Sequence, residues 1–341
     1  MRWEMGIDLG TRSVRAALPT EGPVLSQAAA LALREGRDVP VNAGDAAFSV
    51  YGRTCEGVSV HFPLHDGTLK NNVHAQKLLQ WLYYMTEEKR KGKRLRALLT
   101  CAAHARAVQR EALLQAALDA GALEAGLINS DAASALGAGL DIMNPQASLI
   151  VDVGAGKITS TLFTRGLVAA SAYLPYGVGR IDERIQRMLR TEKGFLIGPK
   201  TAEDIKQAMA TALTDRPAPV SMPVAGLNLQ KRVPEILEVE PEMVARACEE
   251  VVGELVFMVA SVVDNAPEEL SADLNDAGCV LAGGGAAIAG LDKRLGDRLG
   301  IPTRVAESPD NCGVIGIAKV LEEPEKYEAL VLERMAKQAR H

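Results

Sequence analysis

The sequence predicts a mixed α/β fold of two related halves. Two apolar runs end in an aspartate followed by small residues, Ile7-Asp8-Leu9-Gly10-Thr11 and Ile150-Val151-Asp152-Val153-Gly154-Ala155-Gly156, and a triple glycine, Gly283-Gly284-Gly285, follows late in the chain. Glycine lacks a Cβ, so such turns can aim backbone N–H groups at phosphate oxygens without steric cost. A carboxylate repels phosphate, but it can hold hydrated Mg²⁺, which is usually bound through one or two carboxylates, waters and substrate phosphates. Asp8 and Asp152 are therefore candidate catalytic acids and, through water, candidate metal residues. One such segment alone is as readily a Gly-rich turn with its Asp capping the loop. Two of them with the triple glycine, in this order, favour the phosphate reading, and the repeated strand-Asp-Gly plan points to an old duplication.

Strands and helices interleave along the chain, as layered α/β folds require. After the first strand, Val14–Leu18 reads as a short strand, Gly and Pro break the chain up to residue 60, and Val73–Met85 reads as a helix. The basic run Lys89–Arg96 reads as a solvated loop before a strand at Leu98–Cys101. Arg106–Ala120 is a helix that buries Leu113, Leu114, Ala117 and Leu118 and stops at Gly121. Ser130–Gly139 is a small-residue helix suited to close packing, followed by a strand at 149–153 and a hairpin through Thr164-Arg165-Gly166. Thr201–Leu213 and Glu242–Asn265 are amphipathic helices, and Pro217, Pro219 and Pro223 mark an irregular, strand-rich insertion between them.

Composition sets the outer bounds. At 341 residues the chain exceeds the size at which single cores usually stop growing, so two domains are expected, and 48% hydrophobic against 24% charged residues can fill them. A formal net charge of −5 argues against bulk affinity for nucleic acid, and no nucleic-acid partner is expected. The cysteines, Cys55, Cys101, Cys248, Cys279 and Cys312, have no CxxC spacing and read as reduced, mostly core residues. His61, His65, His74, His104 and His341 lack metal-ligand spacing. Met1-Arg2-Trp3-Glu4-Met5 runs straight into the first strand, leaving no room for a signal peptide. No apolar run reaches the ~20 residues of a membrane span, Leu255–Val263 being the nearest. A cytoplasmic protein is expected, with Trp3 packed on its own domain rather than on a membrane interface.

The motifs together resemble those of the MreB family of bacterial actin homologues, within the superfamily of actin, heat-shock chaperones and sugar kinases. Gly6-Ile7-Asp8-Leu9-Gly10-Thr11 resembles the family's GIDLGT, Pro63-Leu64-His65-Asp66-Gly67 its P-x-x-DG, and Leu136-Gly137-Ala138-Gly139-Leu140 its IGAGL. Thr201–Lys206 is similar to TAExIK, Ala266–Leu270 to TPPEL, and Val280–Ala286 through Gly290-Leu291-Asp292 and Gly300-Ile301-Pro302 to VLTGGGALLRGLD and GLPV.

The resemblance implies an actin-like ATPase fold: two ribonuclease-H-like domains of mixed sheet flanked by helices, each with a smaller subdomain, and a nucleotide in the cleft. Residues 1–32, 66–140 and 318–341 would form the first core and 33–65 its small subdomain. Residues 141–180 and 242–317 would form the second core and 181–241 its small subdomain. The last helix, through Lys319 to Leu330, would return to the first domain. ATP or GTP with Mg²⁺ would be held by Gly10, Thr11, Arg12, Gly154, Ala155, Gly156 and Lys157, by Glu203 and Lys206 one turn apart on a helix, and by Gly283, Gly284, Gly285 and Ala286. For Glu203 and Lys206 taken alone, a surface ion pair is the competing reading. The implied partners are further copies of the chain, in filaments built from protofilament pairs, and a membrane surface or membrane protein. A role in cell shape or in placing cell-wall synthesis follows.

The departures bear on mechanism. Where the family reads EEPM, whose second Glu orients the attacking water, this chain has Asn129-Ser130-Asp131-Ala132. Ser130 cannot act as a carboxylate base, and Asp131 could substitute only if the helix start shifts by one residue. The family's DIGGGT appears as Asp152–Lys157, with a methyl at Ala155 and a lysine that either faces phosphate or points to solvent. Its GGD aligns with Gly177-Val178-Gly179, so an acid is missing there. Nucleotide binding is expected and hydrolysis is left open. Filament growth needs only repeated head-to-tail contacts, so a slow or hydrolysis-free filament is the leading expectation. A non-polymerising, nucleotide-binding adaptor on the same fold is the alternative, with a small-molecule kinase behind both.

Overall fold

A computed structural model describes residues 3–37, 39–90, 95–213 and 220–337. The chain opens with three antiparallel strands, β1 (Met5–Leu9), β2 (Ser13–Leu18) and β3 (Gly22–Ala28). A small sheet follows, made of β4 (Leu31–Arg34), β5 (Asn42–Ala43) and β6 (Val58–His61), with the single turn α1 (Asp45–Phe48). After the short pair β7 (Leu64–His65) and β8 (Thr68–Leu69) come α2 (Asn72–Met85), α3 (Glu87–Arg90), β9 (Arg96–Cys101), α4 (Ala107–Asp119), β10 (Glu124–Asn129) and α5 (Ser130–Gly137).

The second half repeats the opening with β11 (Ser148–Val153), β12 (Ile158–Thr164) and β13 (Leu167–Leu174), then α6 (Gly179–Glu192), β14 (Phe195–Leu196) and α7 (Pro199–Met209). Next are the hairpin β15 (Met222–Asn228) and β16 (Val233–Val239), α8 (Pro241–Asp264), α9 (Glu268–Ala277) and β17 (Cys279–Ala282). The chain continues through α10 (Leu291–Leu299), β18 (Thr303–Val305), α11 (Cys312–Glu322) and β19 (Val331–Ala336).

The two large sheets share one plan. Strand order β3-β2-β1-β9-β10 in the first matches β13-β12-β11-β17-β18 in the second, with the leading three strands antiparallel and the last two joined in parallel. Asp8 and Asp152 occupy the same place, the penultimate residue of β1 and of β11. The helix after the last parallel strand, α5 in one half and α11 in the other, lies between the sheets. There Ala132, Ala135 and Ile317 pack with Ile128 and Leu98 of the first sheet and with Ile150 and Val280 of the second. On the outer faces, α2 and α4 cover the first sheet through Leu78, Leu82, Leu114 and Leu118, and α6 and α8 cover the second through Ile181, Ile185, Val251 and Leu255.

Small residues set the closeness of the two central helices. A Cβ on Gly137 would collide with the Cys312 carbonyl, and one on Gly316 with the Ala133 carbonyl. The expected helix at Ser130–Gly139 is therefore present as α5, two residues shorter. The expected strands at Val14–Leu18, Leu98–Cys101 and 149–153 and the helices at Val73–Met85, Arg106–Ala120 and Glu242–Asn265 are present within a residue or two. The Arg165-Gly166 turn has both residues at positive φ, 51° and 74°, as a two-residue hairpin of the I′ kind requires. Trp3 is buried against Gly126 and Leu98 of its own sheet, and Cys101, Cys248, Cys279 and Cys312 are buried while Cys55 is exposed.

Four expectations need correction. The helix expected at Thr201–Leu213 begins at Pro199, a favoured first helical residue, and ends at Met209 because the next residues turn to pair with Ala289. The insertion is not irregular where described: β15 and β16 pair over seven residues, with Pro223 opposite Glu238, while Pro217 and Pro219 lie outside the described residues. The basic run opens in α3 rather than a loop, with Lys89 donating to the Val24 carbonyl and Arg90 to that of Tyr83; residues 91–94 lie outside the described residues, as does His341. Lastly, the chain returns to the first sheet as a strand and not as a helix. Pro324 ends α11 at Glu322, since the residue before proline is pushed out of the α region, and β19 then pairs antiparallel with β10.

Candidate nucleotide site

The carboxyl ends of β1 and β11 open into one cavity of about 540 Å³, within the range of small-molecule sites. Asp8, Gly10, Thr11 and Arg12 line it from the first half. Asp152, Gly154, Ala155, Gly156, Lys157, Glu203, Lys206 and Gly283–Gly285 line it from the second. Of the residues singled out in the sequence, Asp131 and Ala286 do not line it; both are buried.

Each strand-end acid is held by a neighbour. Asp8 Oδ1 accepts from Thr100 Oγ1 at 2.9 Å, and Arg15 stands 3.9 Å from its other oxygen. Asp152 Oδ2 accepts from Ser134 Oγ at 2.7 Å, and burial pushes this carboxyl above its usual range despite Lys157 and the Ser134 bond. Gly283, with φ of 80°, runs so close that a Cβ there would stand 2.5 Å from Asp152 Oδ1, so only glycine satisfies both its backbone angle and this contact. Ala155 avoids the strain its methyl could have caused: among the described residues, the non-glycine residues at positive φ are Thr20, Asp66, Arg165 and Arg232. Its carbonyl instead accepts from the Gly179 N–H at 2.9 Å, tying the turn to the start of α6.

At the floor of the cavity Lys157 reaches from the second half to the first. Its Nζ donates to Ser130 Oγ at 2.7 Å and to Asp131 Oδ1 at 3.4 Å. Asp131 also accepts from Thr159 Oγ1 at 3.0 Å, from Thr161 Oγ1 at 2.8 Å and from Ser130 Oγ at 3.1 Å. Burial would raise this carboxyl, but Lys157 and the three hydroxyl donors hold it below its usual range. Burial would likewise lower the Lys157 ammonium, and Asp131 and Asp152 raise it instead. Asp131 thus spends its oxygens on binding β12 to α5 and presents none to the cavity.

Lys206 does not pair with Glu203. Its Nζ donates to Asp182 Oδ2 of α6 at 2.8 Å, and burial pushes Asp182 up to about 6 against the pull of Lys206. At the other wall the Arg12 guanidinium stacks over the rings of Phe62, at 4.6 Å, and Tyr51, at 5.6 Å. The two acids supply hard oxygen donors suited to a hydrated divalent cation. No group of three or more His, Cys, Asp or Glu forms a metal cage among the described residues. An ion here would need the phosphates and water to complete its shell.

A family model described as MreB/Mbl protein matches residues 2–329. The chain belongs to the MreB/Mbl family. It is 30% identical over 324 residues to the cell shape-determining protein Mbl of Bacillus subtilis (strain 168), covering 95% of this chain and 97% of that protein. It is 31% identical over 324 residues to the cell shape-determining protein MreB of Escherichia coli (strain K12), covering 94% and 93%. Among solved structures, MreB 5 of Spiroplasma citri bound to AMPPNP superposes with a TM-score of 0.87 at 27% identity, covering 95% of this chain and 97% of that one. The MamK double helical filament, at 20% identity and a TM-score of 0.76 over 93% and 98%, shares the actin-like fold.

Against the MreB/Mbl motifs quoted above, the substitutions at residues 130 and 157 meet in space: Ser130 and Lys157 are hydrogen-bonded to each other. Sequence reading missed this pairing, and it missed Thr100, Ser134 and Asp182. Ser134 lies one helical turn beyond Ser130 on α5, so the periodicity of that helix was the available signal for it. Thr100 reaches Asp8 through the parallel pairing of β9 with β1, whose register no local pattern reveals.

Proposed function

We propose that this chain is a nucleotide-binding, actin-like cytoskeletal protein that polymerises into filaments and supports cell shape, with hydrolysis weakened. The observation that carries the reading is the single cavity where the Asp-Gly ends of two topologically matched sheets converge. The names of the Bacillus and Escherichia relatives, and the AMPPNP bound to the Spiroplasma protein, support the same reading.

In this reading the glycine turns at Gly10 and at Gly154–Gly156 receive the phosphates, Gly283–Gly285 and Glu203 border the nucleoside, and Arg12 and Lys206 face it from opposite walls. Asp8 and Asp152 would hold Mg²⁺ through water, and the ion would neutralise charge on the phosphates. Ser130 offers no carboxylate to a water, and Asp131 is committed to β12, so turnover of ATP is slow. ATP is preferred as the nucleotide because the resemblance is to an ATP-binding family; GTP is the competing ligand to titrate. A cytoplasmic location, with a membrane surface or membrane protein as a second partner, belongs to the same proposal. Among the described residues no helix is long and apolar enough to cross a membrane.

Ultracentrifugal pelleting with parallel phosphate release tests the function, comparing ATP-Mg²⁺, a non-hydrolysable analogue and no nucleotide. Nucleotide-dependent pelleting above a critical concentration is expected with both triphosphates, with little phosphate released. Bound nucleotide without pelleting across a wide range of concentration and salt would sink the filament reading in favour of the adaptor.

A further inference from the structure

The ammonium of Lys157 is a fixed cation on the wall of the cavity, alongside the acids Asp8 and Asp152 and the further cations Arg12, Arg15 and Lys206. Its stem is clamped: a Cβ on Gly67 would stand 2.8–2.9 Å from Lys157 Cβ, Cγ and Cδ, so the aliphatic chain lies directly on that backbone. Its head is aimed by Ser130 and Asp131, which take two of its three N–H donors and leave one for a ligand. The side chain of Asp131 is 3% exposed and that of Lys157 16%, so the positive partner of the pair meets the cavity and the negative one is sealed behind it.

We propose that Lys157 is a built-in counter-cation for the polyphosphate, so that this site retains nucleotide without a divalent ion. The inference rests on the reading of the cavity as a nucleotide site. Two features act together. A charge-assisted hydrogen bond to a phosphate oxygen is stronger than a neutral one. The lysine is already ordered, so little side-chain entropy is lost on binding.

Equilibrium titration of the full chain with ATP, in Mg²⁺ and in excess EDTA, tests this. Wild type is expected to hold its affinity within about tenfold when the metal is chelated, whereas Lys157→Met loses about 100-fold or more in EDTA and much less in Mg²⁺. Lys157→Gln carries the same comparison if Met at that position prevents folding. A wild-type loss of about 100-fold in EDTA overturns the proposal without recourse to any variant. Equal retention by wild type and variant also overturns it, because another group is then the cation. Absence of binding even with Mg²⁺ would instead remove the nucleotide reading itself, and this inference with it.

Discussion

Two neighbouring substitutions at the cavity floor decide what the chemistry can be. Ser130 stands where a carboxylate was expected to orient water, and the Lys157 ammonium donates a hydrogen bond to its hydroxyl at 2.7 Å. A glutamate placed at 130 would face the Lys157 ammonium at ion-pair distance and be neutralised by it. Ser130→Glu alone is therefore expected to leave phosphate release at the wild-type level. Ser130→Glu combined with Lys157→Thr is expected to raise it by about 100-fold, the low end of what a positioned general base contributes. Single-turnover phosphate release measures both, and full recovery by Ser130→Glu alone would show that Lys157 does not block the base. The sequence exposed each substitution singly, because each breaks a recognisable motif. It could not show that residues 130 and 157 touch, since nothing local encodes a contact across 27 positions.

The helices that frame the site depend on contacts no side chain could share. The expected small-residue helix was legible from Ser130, Ala132, Ala133, Ser134 and Ala135, and its partner α11 answers with Gly313 and Gly316. Gly316→Ala drives a methyl into the Ala133 carbonyl and is expected to cost about 3 kcal/mol or more, read as a lowered urea midpoint at unchanged slope. Retention of wild-type stability would mean that α5 and α11 can slide apart.

The clasp between α6 and α7 is sensitive to pH. Asp182 binds its proton more tightly folded, near 6, than unfolded, near 3.8. Its contribution to stability is thus fully present below about 3.8 and is lost as pH rises through about 6. The loss is about 2–3 kcal/mol. Asp182→Asn is expected to flatten that part of the stability profile, measured by denaturation at a series of pH values. An unchanged profile would remove Asp182 as the titrating group. This clasp was not legible from the sequence, where Lys206 invited pairing with Glu203 one turn away on the same helix.

At the scale of the whole molecule, the duplicated plan was legible because the first strand of each half ends in the same short signature of an aspartate followed by glycine. The last strand was not. Val331–Ala336 is rich in Leu, Glu, Arg and Met, which favour helix, and the exposed ladder of β10 overrides that preference by offering hydrogen-bond partners. That strand has a consequence for how the protein is made. The sheet begun by β1 is completed by β19, so a ribosome must finish the entire second half before the first sheet can close. During that interval β10 is an open edge on a nascent chain, able to accept a strand from a neighbouring polypeptide.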